Sequence, residues 1–289
     1  MRPLRKFMDP RGTRVTAVRA VSLAGRQAWL SMTTLLLLLS LATFAMAQPQ
    51  TTTESFEPEV GQAGKDVVWV PTSQTLVEKM LDIARVTPQD FLIDLGSGDG
   101  RTVITAAKRG LKAKGIEYNP DMVALSQRNA ATAGVTDRAT FEKADLFESD
   151  FSSATVITMF LLPSINEKLR PKILDLKPGT RIVSNTFTMG DWRADDTATV
   201  GDGCTNWCTA LLWIVPAKVG GAWQLGNQTL NLTQTFQMVS GTLDSAEVSG
   251  GRLVGNAITF TVNGARYSGT VEGKTMKGST PNAWSAARK

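Results

Sequence analysis

The sequence predicts an α/β fold: an open, mainly parallel sheet flanked by helices, followed by an antiparallel β meander. Three observations predict it. Short apolar runs alternate with helical stretches between residues 71 and 184. A glycine-rich turn, Asp94-Leu95-Gly96-Ser97-Gly98-Asp99-Gly100, follows the first of those runs. After Pro216 the apolar period shortens to two, with Gly or Asn every few residues. Strand–helix alternation implies parallel strands with right-handed crossovers. Period-two stretches punctuated by turn residues imply hairpins.

The first expected element is a helix after Pro71. Leu76, Val77, Met80, Leu81 and Ala84 recur there at helical spacing, and Thr75 to Glu78 fits a capping box. Residues 91–95 form a short apolar strand that enters the glycine turn. A helix over 102–109 follows and stops at Gly110. The second strand is 113–117. Asn119 then caps a helix with Pro120 in its first turn, and Gly134 ends it. Residues 139–142 and 154–160 are the third and fourth strands. Residues 164–176 are helical, with a kink or break expected at Pro171, and 181–184 is the fifth strand. Residues 223–277 read as the meander, with 257–262 alternating and Asn263-Gly264 marking a hairpin turn. Its edges need cover, so it either packs on the sheet or closes on itself.

These elements divide the 289 residues into a leader (1–47), a linker (48–65), an α/β domain (66–222) and a β-rich extension (223–289). The leader holds seven of the 31 basic residues against one acid, Asp9. An apolar run over 30–47 ends in Ala45-Met46-Ala47. Basic flank, short apolar core and an A-x-A-like end read as a signal peptide or a membrane anchor. Either form leaves residue 48 onward outside, in the periplasm or at the membrane surface. The Arg-rich, acid-poor flank also admits a mitochondrial presequence. Beyond the leader the charge is close to balanced, so the net +5 does not argue for nucleic-acid binding.

The chain has no histidine and two cysteines. That excludes imidazole acid–base catalysis and His-bearing metal sites, and no metal site is expected. Cys204 and Cys208 are candidates for a disulfide closing a small loop, one that stiffens a flap near the active edge.

Three acids accompany the glycine turn. Asp94 ends the first strand, Glu117 the second, and Asp145 follows the third. Ligands of open α/β sheets bind at the carboxyl ends of the strands. There Glu117 can accept both hydroxyls of a ribose and Asp145 can reach an adenine amino group. Arg101 stands where a nicotinamide-type fingerprint would carry its third glycine. Carboxylates without a basic phosphate clamp suit a cation, and Asp94 and Asp99 fit the sulfonium of S-adenosyl-L-methionine (SAM). After the fourth strand the chain reads Thr158-Met159-Phe160-Leu161-Leu162-Pro163. Phe160 and Pro163, with Trp69, form a candidate apolar wall for an alkylammonium acceptor. Plain core packing is the alternative for Met159 and Phe160.

Pro71-Thr72, the 94–101 turn and Gly115-Ile116-Glu117-Tyr118-Asn119-Pro120 together resemble the seven-strand mitochondrial protein-lysine methyltransferases of the adenine-nucleotide-translocase type. The resemblance covers residues 67–192. It implies a Rossmann-like seven-strand methyltransferase sheet, SAM as cofactor and a protein lysine as acceptor. It further implies that Asp94, Gly96, Ser97, Gly98 and Gly100 cradle the methionine part. Glu117 would hold the ribose, Asn119 shape its loop, Asp145 and Leu146 flank the adenine, and Thr72 close the pocket. The leader and the β-rich tail depart from that family. They leave room for a small-molecule or lipid acceptor, or for an exported, non-catalytic binding module. SAM is made in the cytosol, so export also requires a supply of it outside.

Overall fold

The computed structural model describes residues 56–289. The leader and residues 48–55 lie outside the described residues. The α/β part opens with helix α1 (Gln74–Ile83), then β1 (Phe91–Leu95), α2 (Arg101–Lys108), β2 (Lys112–Glu117) and α3 (Pro120–Thr132). It continues through β3 (Ala139–Lys143), β4 (Val156–Met159), α4 (Pro163–Leu174) and β5 (Arg181–Asn185), and ends with β6 (Asp196–Thr199) and β7 (Thr209–Ile214). These strands form one seven-stranded sheet in the order β3-β2-β1-β4-β5-β7-β6. β1 to β5 are mutually parallel, and β7 runs antiparallel to both β5 and β6. The order reverses between β1 and β4, which puts the crevice of an open sheet at the carboxyl end of β1.

Period-two side-chain alternation makes β1 the seam between two cores. Leu92 joins one layer with Leu76, Met80 and Val103 from α1 and α2. Ile93 and Leu95 join the other with Ile165, Leu169 and Ile173 from α4. Burial on both faces explains why the strand reads as a continuous apolar run.

Three expectations need correction here. The cap of α1 is Ser73, whose hydroxyl accepts from the Leu76 amide, and not a box begun by Thr75. A box from Ser73 would need Glu or Gln at position 76, which is Leu, so the sequence pattern pointed two residues too far on. Pro171 neither breaks nor ends α4. Pro171 and Glu167, whose carbonyl loses its partner, both face solvent, while the buried stripe holds the helix on the sheet. Residues 56–65 are not wholly linker: Gly61 and Trp69 pair with each other's neighbourhood (Gly61 N–H to Trp69 C=O and Trp69 N–H to Gln62 C=O, both 2.9 Å). This small hairpin builds part of the site.

The C-terminal part closes on itself completely. Eight antiparallel strands, from β8 (Gly221–Leu225) to β15 (Trp284–Arg288), follow one another around a closed barrel, and β15 pairs back onto β8. The interior is filled by residues such as Trp223, Leu230, Ile258 and Phe260. The barrel is keyed to the sheet through Asp195, which accepts from the Ile214 amide and pairs with Arg252 at 2.6 Å. Phe236 also stacks on Trp192, with ring centroids 5.7 Å apart.

Candidate active site

The carboxyl edge of β1, β2 and β4 opens into a cavity of about 440 Å³. That is ample for a nucleoside-sized ligand. Asp94 sits at its floor, buried, and accepts from the Thr158 hydroxyl of β4 at 2.6 Å. Burial pushes its carboxyl up to about 7, helped by the negative charges of Asp99 and Glu117. No basic side chain hydrogen-bonds to it among the described residues. Such a group lacks a cation and ionises readily when one arrives.

The glycine turn is held from three sides. Gly98 donates its N–H to Glu117 Oε2 (3.0 Å), and its carbonyl accepts from Ser126 Oγ of α3 (2.7 Å). Asn129 of α3 donates to the Asp99 carbonyl (3.0 Å). Glu117 Oε1 accepts from the Asn119 N–H (2.9 Å), and Asn119 in turn caps α3. Gly98 has a left-handed φ of 53°, and a Cβ there would lie 2.6 Å from the Trp69 indole nitrogen. The hairpin tryptophan can cover the turn only because this residue has no side chain.

Most of the expected residues line this cavity: Thr72, Asp94, Gly96, Ser97, Gly98, Glu117, Asn119, Asp145, Leu146, Trp69 and Phe160. Gly100 and Pro163 do not. Gly100 is the left-handed residue that begins α2, and a Cβ there would meet Phe141 and Ser126, so its role is to shape the turn. Pro163 occupies the first position of α4, and Leu162 faces the cavity instead. Asp99 departs from its expected part. Arg101 clasps it through two nitrogens, at 2.6 and 3.0 Å, and also donates to the Thr72 carbonyl (2.8 Å). That pair neutralises the one basic group of the turn and leaves Asp94 as the carboxylate for a cation.

Residues far apart in sequence complete the site, and no local motif marks them. Lys65, from the hairpin, pairs with Asp145 and holds that carboxyl below its ordinary range. Asn185, at the end of β5, donates to the Thr72 hydroxyl (3.2 Å). Phe187 and Trp207 line the end of the cavity beside Phe160. The expected disulfide is present between Cys204 and Cys208. It closes the tip of the β6–β7 hairpin, and Trp207 lies inside it.

The fit to SAM is chemical. Five acids line the cavity (Asp66, Asp94, Asp99, Glu117, Asp145) against two bases, Lys65 and Arg101, both already paired with acids. This balance favours a sulfonium and an ammonium over a phosphate. Glu117 retains lone pairs for ribose hydroxyls, and the Ser97 hydroxyl is buried without a protein partner. Fold and site together define a SAM-dependent methyltransferase.

Comparison with known proteins narrows the class. Residues 94–196 match the family model described as the ANTKMT methyltransferase domain. A protein-lysine N-methyltransferase of Saccharolobus islandicus is 45% identical over 152 residues, covering 52% of this chain and 94% of that protein. The adenine nucleotide translocase lysine N-methyltransferase of Mus musculus is 35% identical over 139 residues. That match covers 47% of this chain and 59% of the mouse protein. Among solved structures, an RNA methyltransferase from Salinibacter ruber in complex with S-adenosyl-L-homocysteine is 45% identical, with a TM-score of 0.49. It covers 52% of this chain and 96% of that one. The chain belongs to the protein-lysine N-methyltransferase family that the Saccharolobus islandicus relative represents.

Proposed function

We propose that this chain methylates lysine side chains of a protein, with SAM as donor, and does so outside the cytosol. The observation that carries the reading is one buried carboxylate, Asp94, without a cation of its own, in an acid-lined cavity whose far end is aromatic. When bound, SAM supplies an activated methyl group whose transfer to a neutral amine leaves a thioether. The chain's own residues have little covalent work to do, because alignment and desolvation supply much of such a rate. Asp94 ionises against the incoming cation, Glu117 orients the ribose and the covered turn excludes water. The aromatic end admits the lysine side chain, whose ammonium gives its proton to solvent before the neutral amine takes the methyl group. That chemistry needs no histidine. The relatives named as lysine methyltransferases support the acceptor. The leader and the disulfide support an oxidising, extracytosolic setting.

The test is methyl transfer from tritium-labelled SAM by the full chain to poly-L-lysine and to membrane and soluble protein fractions, followed by acid hydrolysis. Label recovered as ε-methyl-lysine is the expected result. Label confined to a lipid extract or to added RNA would overturn the acceptor, and absence of SAM binding would overturn the reading entirely.

A further inference from the structure

We infer that Trp207, held inside the Cys204–Cys208 loop, is the residue that receives the acceptor's ammonium, and that the disulfide is what holds it there. The inference rests on the methyltransferase reading above and names how that site recognises its acceptor.

Three rings meet at the end of the cavity remote from Asp145. Phe160 and Phe187 stack with centroids 5.7 Å apart, and Trp207 tilts against Phe160 at 5.9 Å and 59°. They come from the end of β4, the end of β5 and the β6–β7 hairpin tip. In sheet order these lie on the opposite side of β1 from β2 and β3, whose ends carry Glu117 and precede Asp145. A ligand whose ribose and adenine lie over β2 and β3 therefore points its other end toward the rings.

Trp207 is 43% exposed although its ring lines the cavity, so one part of the side chain meets solvent while another meets Phe160. A half-exposed indole offers its π face to a cation that arrives from water, and Trp is the strongest such partner among the aromatic residues.

The backbone indicates that this placement is imposed. Trp207 has a left-handed φ of 54°, and Thr186, immediately before Phe187, has 61°. A β-branched residue in that region is a genuine outlier, and outliers of this kind persist only where surrounding structure over-determines them. The restraints are visible. Thr186 donates its N–H to the Thr209 carbonyl (2.7 Å), one residue after Cys208, and its hydroxyl donates to Asn185 Oδ1 (3.0 Å). Val200 donates to the Cys208 carbonyl (2.9 Å). Gly203 packs so closely on Thr75 of α1 that a Cβ would lie 2.6 Å from its hydroxyl. The disulfide loop thus sets Trp207 directly and braces the turn that presents Phe187.

The test uses the full chain with ¹⁵N-labelled tryptophan, saturated with S-adenosyl-L-homocysteine and titrated with n-butylammonium chloride or its neutral counterpart n-butanol. Of the seven indole signals, the Trp207 signal, identified by its loss in Trp207→Phe, should move with butylammonium and hardly with butanol. Trp207→Ala should weaken butylammonium binding about fivefold, the scale of one exposed cation–π contact, and Trp207→Phe should restore much of it. Cys204→Ser/Cys208→Ser should match the alanine variant, with S-adenosyl-L-homocysteine affinity and the other six indole signals unchanged. Equal butylammonium affinity in Trp207→Ala, or equal response to butanol, would overturn the inference. An unaffected double-serine variant would overturn the part assigned to the disulfide. Failure of S-adenosyl-L-homocysteine to bind the parent chain would instead overturn the methyltransferase reading.

Discussion

The carboxyl edge of the sheet and the barrel behind it are built on opposite terms. The barrel leaves no strand edge unpaired, buries an apolar interior and owes its shape to tight turns. The sheet edge leaves polar groups in want of partners: a buried carboxyl pushed up to about 7 and an orphan serine hydroxyl, with the left-handed Trp207 lining the same cavity. The contrast separates what stabilises this chain from what makes it reactive. Left-handed residues serve both regions, tightening barrel turns at Asp244 and Asn263 and presenting rings at Trp207 and Thr186, but the raised carboxyl and the unpartnered Ser97 hydroxyl face the cavity where the ligand goes.

The largest expected effect sharpens that separation. Trp223 is fully buried in the barrel, donates to the Val219 carbonyl at 2.7 Å and lies under the Arg288 guanidinium. Trp223→Ala should cost about 3–5 kcal/mol of stability, a fall in Tm of roughly 10 °C, while SAM affinity of the folded protein stays within twofold. A parallel loss of SAM affinity, measured by calorimetry below the transition, would show that barrel and edge are one unit.

The converse variant is Glu117→Ala. It removes the carboxylate that accepts from both Gly98 and Asn119 and is expected to hold the ribose. SAM affinity should fall about a hundredfold, on the scale of two charge-assisted hydrogen bonds, with a smaller fall in melting temperature of the apo protein, because the Gly98 N–H loses its acceptor. Unaltered affinity would remove Glu117 from the site.

Asp94 makes the edge sensitive to pH. Its carboxyl is raised from an ordinary 3.8 to about 7. As pH rises from about 4 to 7, the unfolded state releases this proton before the folded state does, so Asp94 withdraws stability from the apo protein across that window. A bound cation favours the ionised form, so below pH 7 binding expels a proton and SAM affinity should weaken about tenfold per pH unit. Calorimetry in buffers of different ionisation enthalpy counts the proton. In Asp94→Asn the pH slope should vanish, and its persistence would assign the proton to another group.

The smallest effect concerns the helix beside the site. Ser73→Ala removes the α1 cap and should cost about 1 kcal/mol. Denaturant titration reads this directly, and an equal loss from Thr75→Ala would restore the capping box expected from sequence.

That cap illustrates how far the sequence could be read. Strands β1, β4 and β5 were legible from their short apolar runs, β2 and β3 from their place between helices, and the helices because their stripes and glycine stops are local. β6 was not, since Asp196–Thr199 is an exposed edge strand without an apolar period. β7 was not, since Thr209–Ile214 lies between a disulfide loop and Pro216, with no helix before it to mark a parallel repeat. The acids that line the cavity, Asp94, Glu117 and Asp145, were legible because they lie at or just beyond the ends of successive strands. Ser126, Asn185, Phe187 and Trp207 were not, because only the folded chain brings them to the same place. Lys65 was hidden for a different reason: it lies in a polar stretch that reads as linker.

The order of strands in the barrel also has a kinetic side. From β8 to β15 each strand pairs with the next, so every contact but the closing one joins near neighbours along the chain. β1, by contrast, pairs Leu92 with Val156, across 64 residues. Closing a longer loop costs more chain entropy before any contact repays it, and folding slows as contacts become less local. The barrel, although synthesised after the sheet, is therefore expected to acquire its structure in sequential hairpin steps while the parallel sheet is still searching for its β1–β4 register.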